Sequence, residues 1–256
     1  MRRPSQSVIF RNAPLVERIR QIKGEHPFWG YRRTWAYLKY IDGLVVNKKR
    51  IYRLMKEHNL TVLPNHQLKA KRSSGRRKPR PDRPNQWWGI DMTKVMTDSG
   101  WVYVVIVLDW YSKKVVGHYS GSQATSRHWL EALERGLNRQ FPGGVRGHNL
   151  HLMSDNGCQP TSLRFMKACS DLKVDQAFTS YNNPKGNADT ERMMRTLKEE
   201  LMWLREWPSS TELKKELDRW IEYYNEKYLH SALGYRPPNR AEETYILSCN
   251  TLLKSA

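Results

Sequence analysis

The stretch SDNGCQPTSLRFMKACSDLKVDQAFTSYNNPKGNADTERMMRTLKEE, Ser154–Glu200, decides how this chain reads. It opens where the apolar run LHLM ends on Asp155, inside Ser-Asp-Asn-Gly. It closes on a helical pattern carrying Glu191 in its first turns. Thirty-five residues separate the two carboxylates. Between them TSLRFMKACSDL reads as a helix, VDQAFTS as a strand and YNNPKGN as a loop. At roughly 100° per residue, Glu191, Arg195, Lys198 and Met202 share one narrow helix face. Met193, Met194, Leu197, Leu201 and Leu204 form a separate stripe that suits packing on a sheet. A strand end and a helix start can therefore bring Asp155 and Glu191 together.

Upstream, QWWGIDMTKV reads as a strand with Asp91 among Trp, Ile and Met. A carboxylate there is costly to bury unless it is paired or binds a cation. WVYVVIVLDWYSKKVVGHYSG reads as two strands with a turn near Ser112-Lys113. SRHWLEALERGLNRQF is an amphipathic helix with Trp129, Leu130, Leu133 and Leu137 on one side. STELKKELDRWIEYYNEKYLH is another, with Leu213, Leu217, Ile221, Tyr224 and Tyr228 inward. The order β-β-β-α-β-α-β-α-α predicts an α/β domain, a mixed sheet flanked by helices.

Three carboxylates on adjacent elements, Asp91, Asp155 and Glu191, suit a pair of divalent cations about 3.5–4 Å apart. Oxygen-only ligation points to Mg²⁺ or Mn²⁺. Lys198, two turns below Glu191, suits a phosphate, with Arg195 as its helper. Taken singly, Asp155 reads equally well as a turn-capping residue, and Glu191 as an ordinary surface glutamate. Asp109, beside the hairpin turn, can bond its own backbone and reads as structural. Only the joint pattern singles out the trio.

The formal charge of +19 is uneven. Residues 1–86 hold 22 Lys+Arg against 5 Asp+Glu, a net of +17, and residues 87–256 hold 22 against 20, a net of +2. A basic front half joined to a nearly neutral back half suggests a module that binds a polyanion. Residues 14–60 read as short helices, with Leu15, Ile19 and Ile22 on one stripe and Trp35, Leu38 and Ile41 on the next. The last helix starts on an Asn47 cap, with Ile51, Leu54 and Met55 inward. Lys48, Lys49, Arg50, Arg53 and Lys56 point mostly outward. This suits a helix-turn-helix-like unit over residues 1–66; a helical bundle with solvated lysines fits the same pattern. Residues 67–85 lack apolar periodicity and carry eight Lys/Arg, among them Arg76, Arg77, Lys78 and Arg80. That is a basic linker able to track a phosphate backbone. A catalytic core over 86–246 and a tail over 247–256 complete the expected organisation.

Other classes recede. No apolar run approaches the roughly 18 residues of a membrane span, and the N-terminus lacks a signal peptide's apolar region. Cys158, Cys169 and Cys249 form no CxxC pair, which points away from a disulfide framework or zinc knuckle and toward a reducing cytoplasm. Cys158 reads as a small buried filler.

In combination these motifs resemble the integrase-core (DDE) transposases of bacterial insertion sequences, specifically the second-frame OrfB-type product, which is similar to retroviral integrases. The resemblance rests on WGIDMT with Asp91, SDNG with Asp155, and NPKGNADTERMMRTLKEE with Glu191 and Lys198. It extends to the tail YYNEKYLHSALGYRPPNRAEE and to the N-terminal HPFWGYRRTWAYLKYIDGLVVNKKRIYRLMKEHNL. It implies a ribonuclease H-like core that cuts and joins DNA strands without a covalent enzyme intermediate, using two Mg²⁺ or Mn²⁺ ions held by Asp91, Asp155 and Glu191. Lys198 matches the family's basic residue seven beyond the glutamate. Implied partners are element ends and target DNA, further copies of the chain on that DNA, and the upstream-frame OrfA product; the implied location is the bacterial cytoplasm. Retroviral integrases carry a zinc-binding His/Cys domain, but His26, His58 and His66 have no cysteine nearby, so no zinc is expected. Tyr228-Leu229 stand where relatives often have Arg-Pro. The alternatives are a ribonuclease H-like nuclease that only cleaves, and a non-catalytic DNA-binding regulator. The basic N-terminal half argues against the first and the intact acidic trio against the second.

Overall fold

The computed structural model describes residues 6–62, 79–179 and 186–254. The chain divides into two compact units, Met1–Lys71 and Arg72–Ala256. Arg76, Arg77, Lys78 and His66, singled out above, lie outside the described residues.

The first unit holds α1 (Gln6–Glu25), α2 (Tyr31–Tyr40) and α3 (Lys48–Glu57). The first helix begins earlier than expected and runs through Pro14. Ile19, Ile22, Leu38, Ile51, Leu54 and Met55 are buried, as the spacing predicts. Val16 is buried on the same stripe, next to a half-buried Leu15. Ile41 is exposed instead, because α2 ends at Tyr40 and leaves Ile41 as its C-cap. Arg18 grips Asp42 through two nitrogens, both at 2.8 Å, tying α1 to the residues that follow α2. Asn47 caps α3 by accepting from the Lys49 amide.

In the second unit β1 (Trp87–Thr97), β2 (Gly100–Asp109) and β3 (Val115–Gly121) form an antiparallel meander. After α4 (Ser126–Gln140), β4 (His151–Ser154) pairs parallel to β1. After α5 (Leu163–Asp171), β5 (Asp175–Phe178) pairs parallel to β4. The sheet order is β3-β2-β1-β4-β5. The β1–β2 hairpin comes first, and each later parallel strand is added at the β1 edge after a helical crossover.

One face of the sheet packs against α4 and α5. Trp88, Ile90, Val105, Val107 and Leu152 meet Trp129, Leu130, Leu133, Leu137 and Phe165 there. Gly117 of β3 admits α4 closely, since a Cβ there would stand 2.2 Å from the Ala132 carbonyl. The other face takes α6 (Ala188–Leu197) and α7 (Ser210–Lys227). Met193, Met194 and Leu197 are buried on α6, and Leu213, Leu217, Ile221 and Tyr224 on α7.

The long helix expected after Glu191 does not continue unbroken. From Lys198 to Met202 it widens into a π turn, which shifts the phase of everything beyond it. Leu204, placed by the 3.6-residue period on the packing stripe, is exposed, whereas Met202 is buried. Tyr228 and Leu229 are also buried. Tyr228 joins Tyr224 and His230 in an aromatic cluster, so Tyr228 and Leu229 serve the core. The last helix, α8, spans Pro238–Lys254 and runs through the position where a tail was expected to begin. Among the described residues no helix is long and apolar enough to cross a membrane.

Candidate active site

Strand β1 turns Gly89, Asp91 and Thr93 to one side, because side chains alternate along a strand. That side faces α6, since Trp88 and Ile90 are committed to the opposite core. Gly89 is registered with Met153 of β4. Two residues further along each strand come Asp91 and, one step beyond the end of β4, Asp155. Glu191 lies in the first turn of α6.

The electrostatics of Asp91 show that the three carboxylates share a neighbourhood. Its pKa is pushed up to about 6, first by burial, while the Met92 amide it accepts at 2.8 Å works against the shift. The negative charges of Asp155 and Glu191 raise it further, and the Lys198 ammonium lowers it. All four residues therefore lie within electrostatic reach of one point.

Asp155 is exposed, and its Oδ1 accepts from the Gly157 amide at 3.1 Å. It thus makes the turn that Asp-Asn-Gly suggests while standing beside Asp91. Asn156 anchors the same turn by donating to the Thr179 carbonyl at 2.6 Å. Among the described residues, no three His, Cys, Asp or Glu side chains are gathered closely enough to hold a metal ion as they stand. The donor set nevertheless suits a divalent cation. It consists of hard carboxylate oxygens, and Asp91 bears a burial and repulsion penalty that a cation would relieve.

The basic helper residues separate. Lys198 is half-buried at the start of the π turn, whereas Arg195 is exposed and ion-paired to Glu199 at 2.7 Å. Asp109, the rival aspartate, is buried and accepts from the Asn85 amide and from both the amide and hydroxyl of Ser112. It closes the β2–β3 turn. Cys158 is exposed rather than buried, one residue past the Asp-Asn-Gly turn, and bonds Gln159.

The N-terminal candidates divide as well. Lys49 and Arg53 lie exposed on α3 together with Tyr52 and Lys56, forming an i, i+3, i+4, i+7 stripe. Arg50 is turned inward and donates to Asn12 Oδ1 of α1 at 2.6 and 3.2 Å. Lys48 sits over the Trp35 ring, 4.2 Å from its centroid. His26 stacks on Trp29 with centroids 3.8 Å apart, and burial lowers its pKa to about 4. In the second unit, Arg80 is exposed.

The chain matches two models described as integrase core domain, over residues 81–184 and 172–238, and an HTH-like domain over residues 11–67. It is 28% identical to the transposase for insertion sequence element IS629 of Shigella sonnei, covering 91% of this chain and 80% of that one. It is also 28% identical to the transposase for insertion sequence element IS904 of Lactococcus lactis, covering 94% and 98% respectively. Among solved structures, an intasome chain of simian T-cell lymphotropic virus shares the fold with a TM-score of 0.53 and 16% identity, covering 81% of this chain and 73% of that one.

Proposed function

The chain belongs to the integrase-core transposases, and we propose that Asp91, Asp155 and Glu191 form the site at which it cuts and joins DNA strands. The observation that carries this reading is the convergence on Asp91: the β1–β4 register sets Asp155 level with it, and the charges of Asp155, Glu191 and Lys198 all reach it. In a chain of +19 net charge, exposed Asp155 and Glu191 set around a half-buried Asp91 suit a cation held against a polyanion.

The three carboxylates would hold two Mg²⁺ or Mn²⁺ ions. Such ions, when bound, activate an attacking hydroxyl or water and stabilise the leaving oxygen of a phosphodiester. Asp91 is the innermost member, fixed by its strand and by its bond to the Met92 amide. Asp155 is held on its turn, and Glu191 approaches from α6. Lys198 meets a phosphate of the bound strand as a point charge. The reaction exchanges one phosphodiester oxygen for another. Water as the attacking group gives cleavage, and a terminal hydroxyl gives joining.

The basic α3 stripe would hold duplex DNA by its phosphates, so that element ends and target DNA are the partners. Further copies of the chain and the OrfA product would complete the assembly on DNA, in the bacterial cytoplasm. The test uses short element-end duplexes with Mg²⁺, assayed for nicking and for strand joining. Cleavage without joining would favour a simple nuclease. DNA binding with neither reaction would favour a regulator.

A further inference from the structure

Glu191 faces a physical difficulty. It must stand beside Asp91 and Asp155 although like charges repel. Asp91 is half-buried, so this repulsion is less fully screened there than in open water. Something other than the carboxylates has to hold α6 down.

We infer that Asn187, Thr190, Trp110 and Lys113 form a positioning clamp that holds the first turn of α6, and with it Glu191, against β1. The inference rests on reading Glu191 as a site residue. Gly89 provides the seat. A Cβ at Gly89 would stand 1.9 Å from Thr190 Oγ1, 2.5 Å from Trp110 Nε1 and 2.7 Å from Asn187 Oδ1. The three side chains therefore converge on bare backbone, two residues before Asp91 and on the same side of the strand. Only the absence of a side chain lets them approach so closely.

Three residues that precede Glu191 in its turn, Asn187, Asp189 and Thr190, are tied to β1 or to the β2–β3 turn. Thr190, fully buried, accepts from Trp110 Nε1 at 3.0 Å. The Trp110 amide in turn donates to the Trp87 carbonyl of β1 at 2.9 Å. Asp189 is ion-paired to Lys113 Nζ at 2.8 Å, and the same ammonium donates to the Trp110 carbonyl at 2.6 Å. Asn187, 4% exposed, donates to the Ile90 carbonyl at 3.4 Å. Glu191 closes the first turn by donating its amide to the Asn187 carbonyl at 3.0 Å. Positions 187, 189 and 190 are thus anchored to β1 or to the β2–β3 turn by groups that carry no net negative charge toward the site. Loss of a hydrogen bond or ion pair that orients a metal-binding side chain typically weakens metal affinity by about 10–100-fold.

The test is made on the full chain. Thr190→Val keeps the shape of the side chain and removes the acceptor for Trp110, and Thr190→Ser restores a hydroxyl. Lys113→Met keeps the stem and removes the tie to Asp189. Mn²⁺ alone is titrated by electron paramagnetic resonance, and amide hydrogen exchange is followed over the first turn of α6. The expected result is Mn²⁺ binding about 10-fold weaker in Thr190→Val and Lys113→Met, near wild type in Thr190→Ser, with faster exchange at Glu191 and Met193 and unchanged affinity for duplex DNA. A residue with only a general structural role would lower the melting temperature but leave Mn²⁺ affinity and local exchange unchanged well below it; that outcome overturns the clamp. Glu191→Gln serves as the control. If it binds Mn²⁺ as wild type does, the reading of the site fails, and the clamp is then judged by exchange alone. Wild-type exchange in Thr190→Val overturns it.

Discussion

Asp91 and Asp155 each stand two residues beyond a registered pair, Gly89 of β1 and Met153 of β4, so two parallel strands deliver their carboxylates at the same level. Parallel pairing makes this placement possible. Both strands end their shared register in the same direction, and a period of two sets both side chains on one side. The helix that follows β5 then needs only to cross that side to add Glu191.

Asp91 should be a burden on the fold when no cation is present. Its folded pKa, about 6, lies above its ordinary value of 3.8. A raised carboxylate contributes its full stability below about pH 4 and loses it as pH rises through about 6. Asp91→Asn removes this dependence. Without metal, the variant should match wild type near pH 4 and exceed it at pH 8 by about 1–2 kcal/mol, after discounting for partial exposure. Strand transfer should be abolished and DNA binding retained. Thermal melts in a chelator between pH 4 and 8 check the sign, and identical curves at pH 8 would sink the idea.

Lys198→Ala should weaken binding of element ends and strand joining while leaving Mn²⁺ affinity nearly unchanged. Lys198→Arg should keep part of the function, since it retains charge but loses the compact ammonium. Arg195 is already engaged with Glu199, so Arg195→Ala alone should have a smaller effect, and the double alanine variant should be worse than either single. If Lys198→Ala joins ends as well as wild type, the residue has no role in positioning DNA.

The stripe on α3 separates two kinds of arginine. Lys49→Ala and Arg53→Ala should each weaken duplex binding roughly uniformly across sequences and lower the salt slope by about 1. Arg50→Ala should instead destabilise the N-terminal unit by about 1–2 kcal/mol, because Asn12 loses its partner. Affinity measured against salt, together with melting curves for the same variants, separates the two outcomes. A lower salt slope for Arg50→Ala without any loss of stability would contradict the assignment.

Lys114 and Glu242 form an ion pair at 2.5 Å that joins the start of β3 to α8, with only 15% and 14% of the side chains exposed. Glu242→Ala leaves the ammonium without this partner in a largely dry setting. The expected loss is about 2–4 kcal/mol, measurable by chemical denaturation. Replacing both residues, Lys114→Met with Glu242→Leu, should recover most of it. A double variant as unstable as the single would show that packing of α8, rather than the charge, sets the cost.

The sequence by itself determined the order of elements, the antiparallel meander before the parallel strands, and the three acids that stand out from it. Periods of two and 3.6 are local properties, and a carboxylate inside Trp-Gly-Ile-Asp-Met is conspicuous without any partner in view. The π turn at Lys198–Met202 was not legible, because widening of a helix is imposed by what it packs against rather than by its own spacing. The same reason removed Leu204 from the buried stripe, turned Arg50 inward to Asn12, and left Cys158 in solvent. Gly89 read only as a residue before Asp91. Its role as a seat for Thr190, Trp110 and Asn187 arises where three distant segments meet, and close approach of that kind is decided by tertiary packing alone.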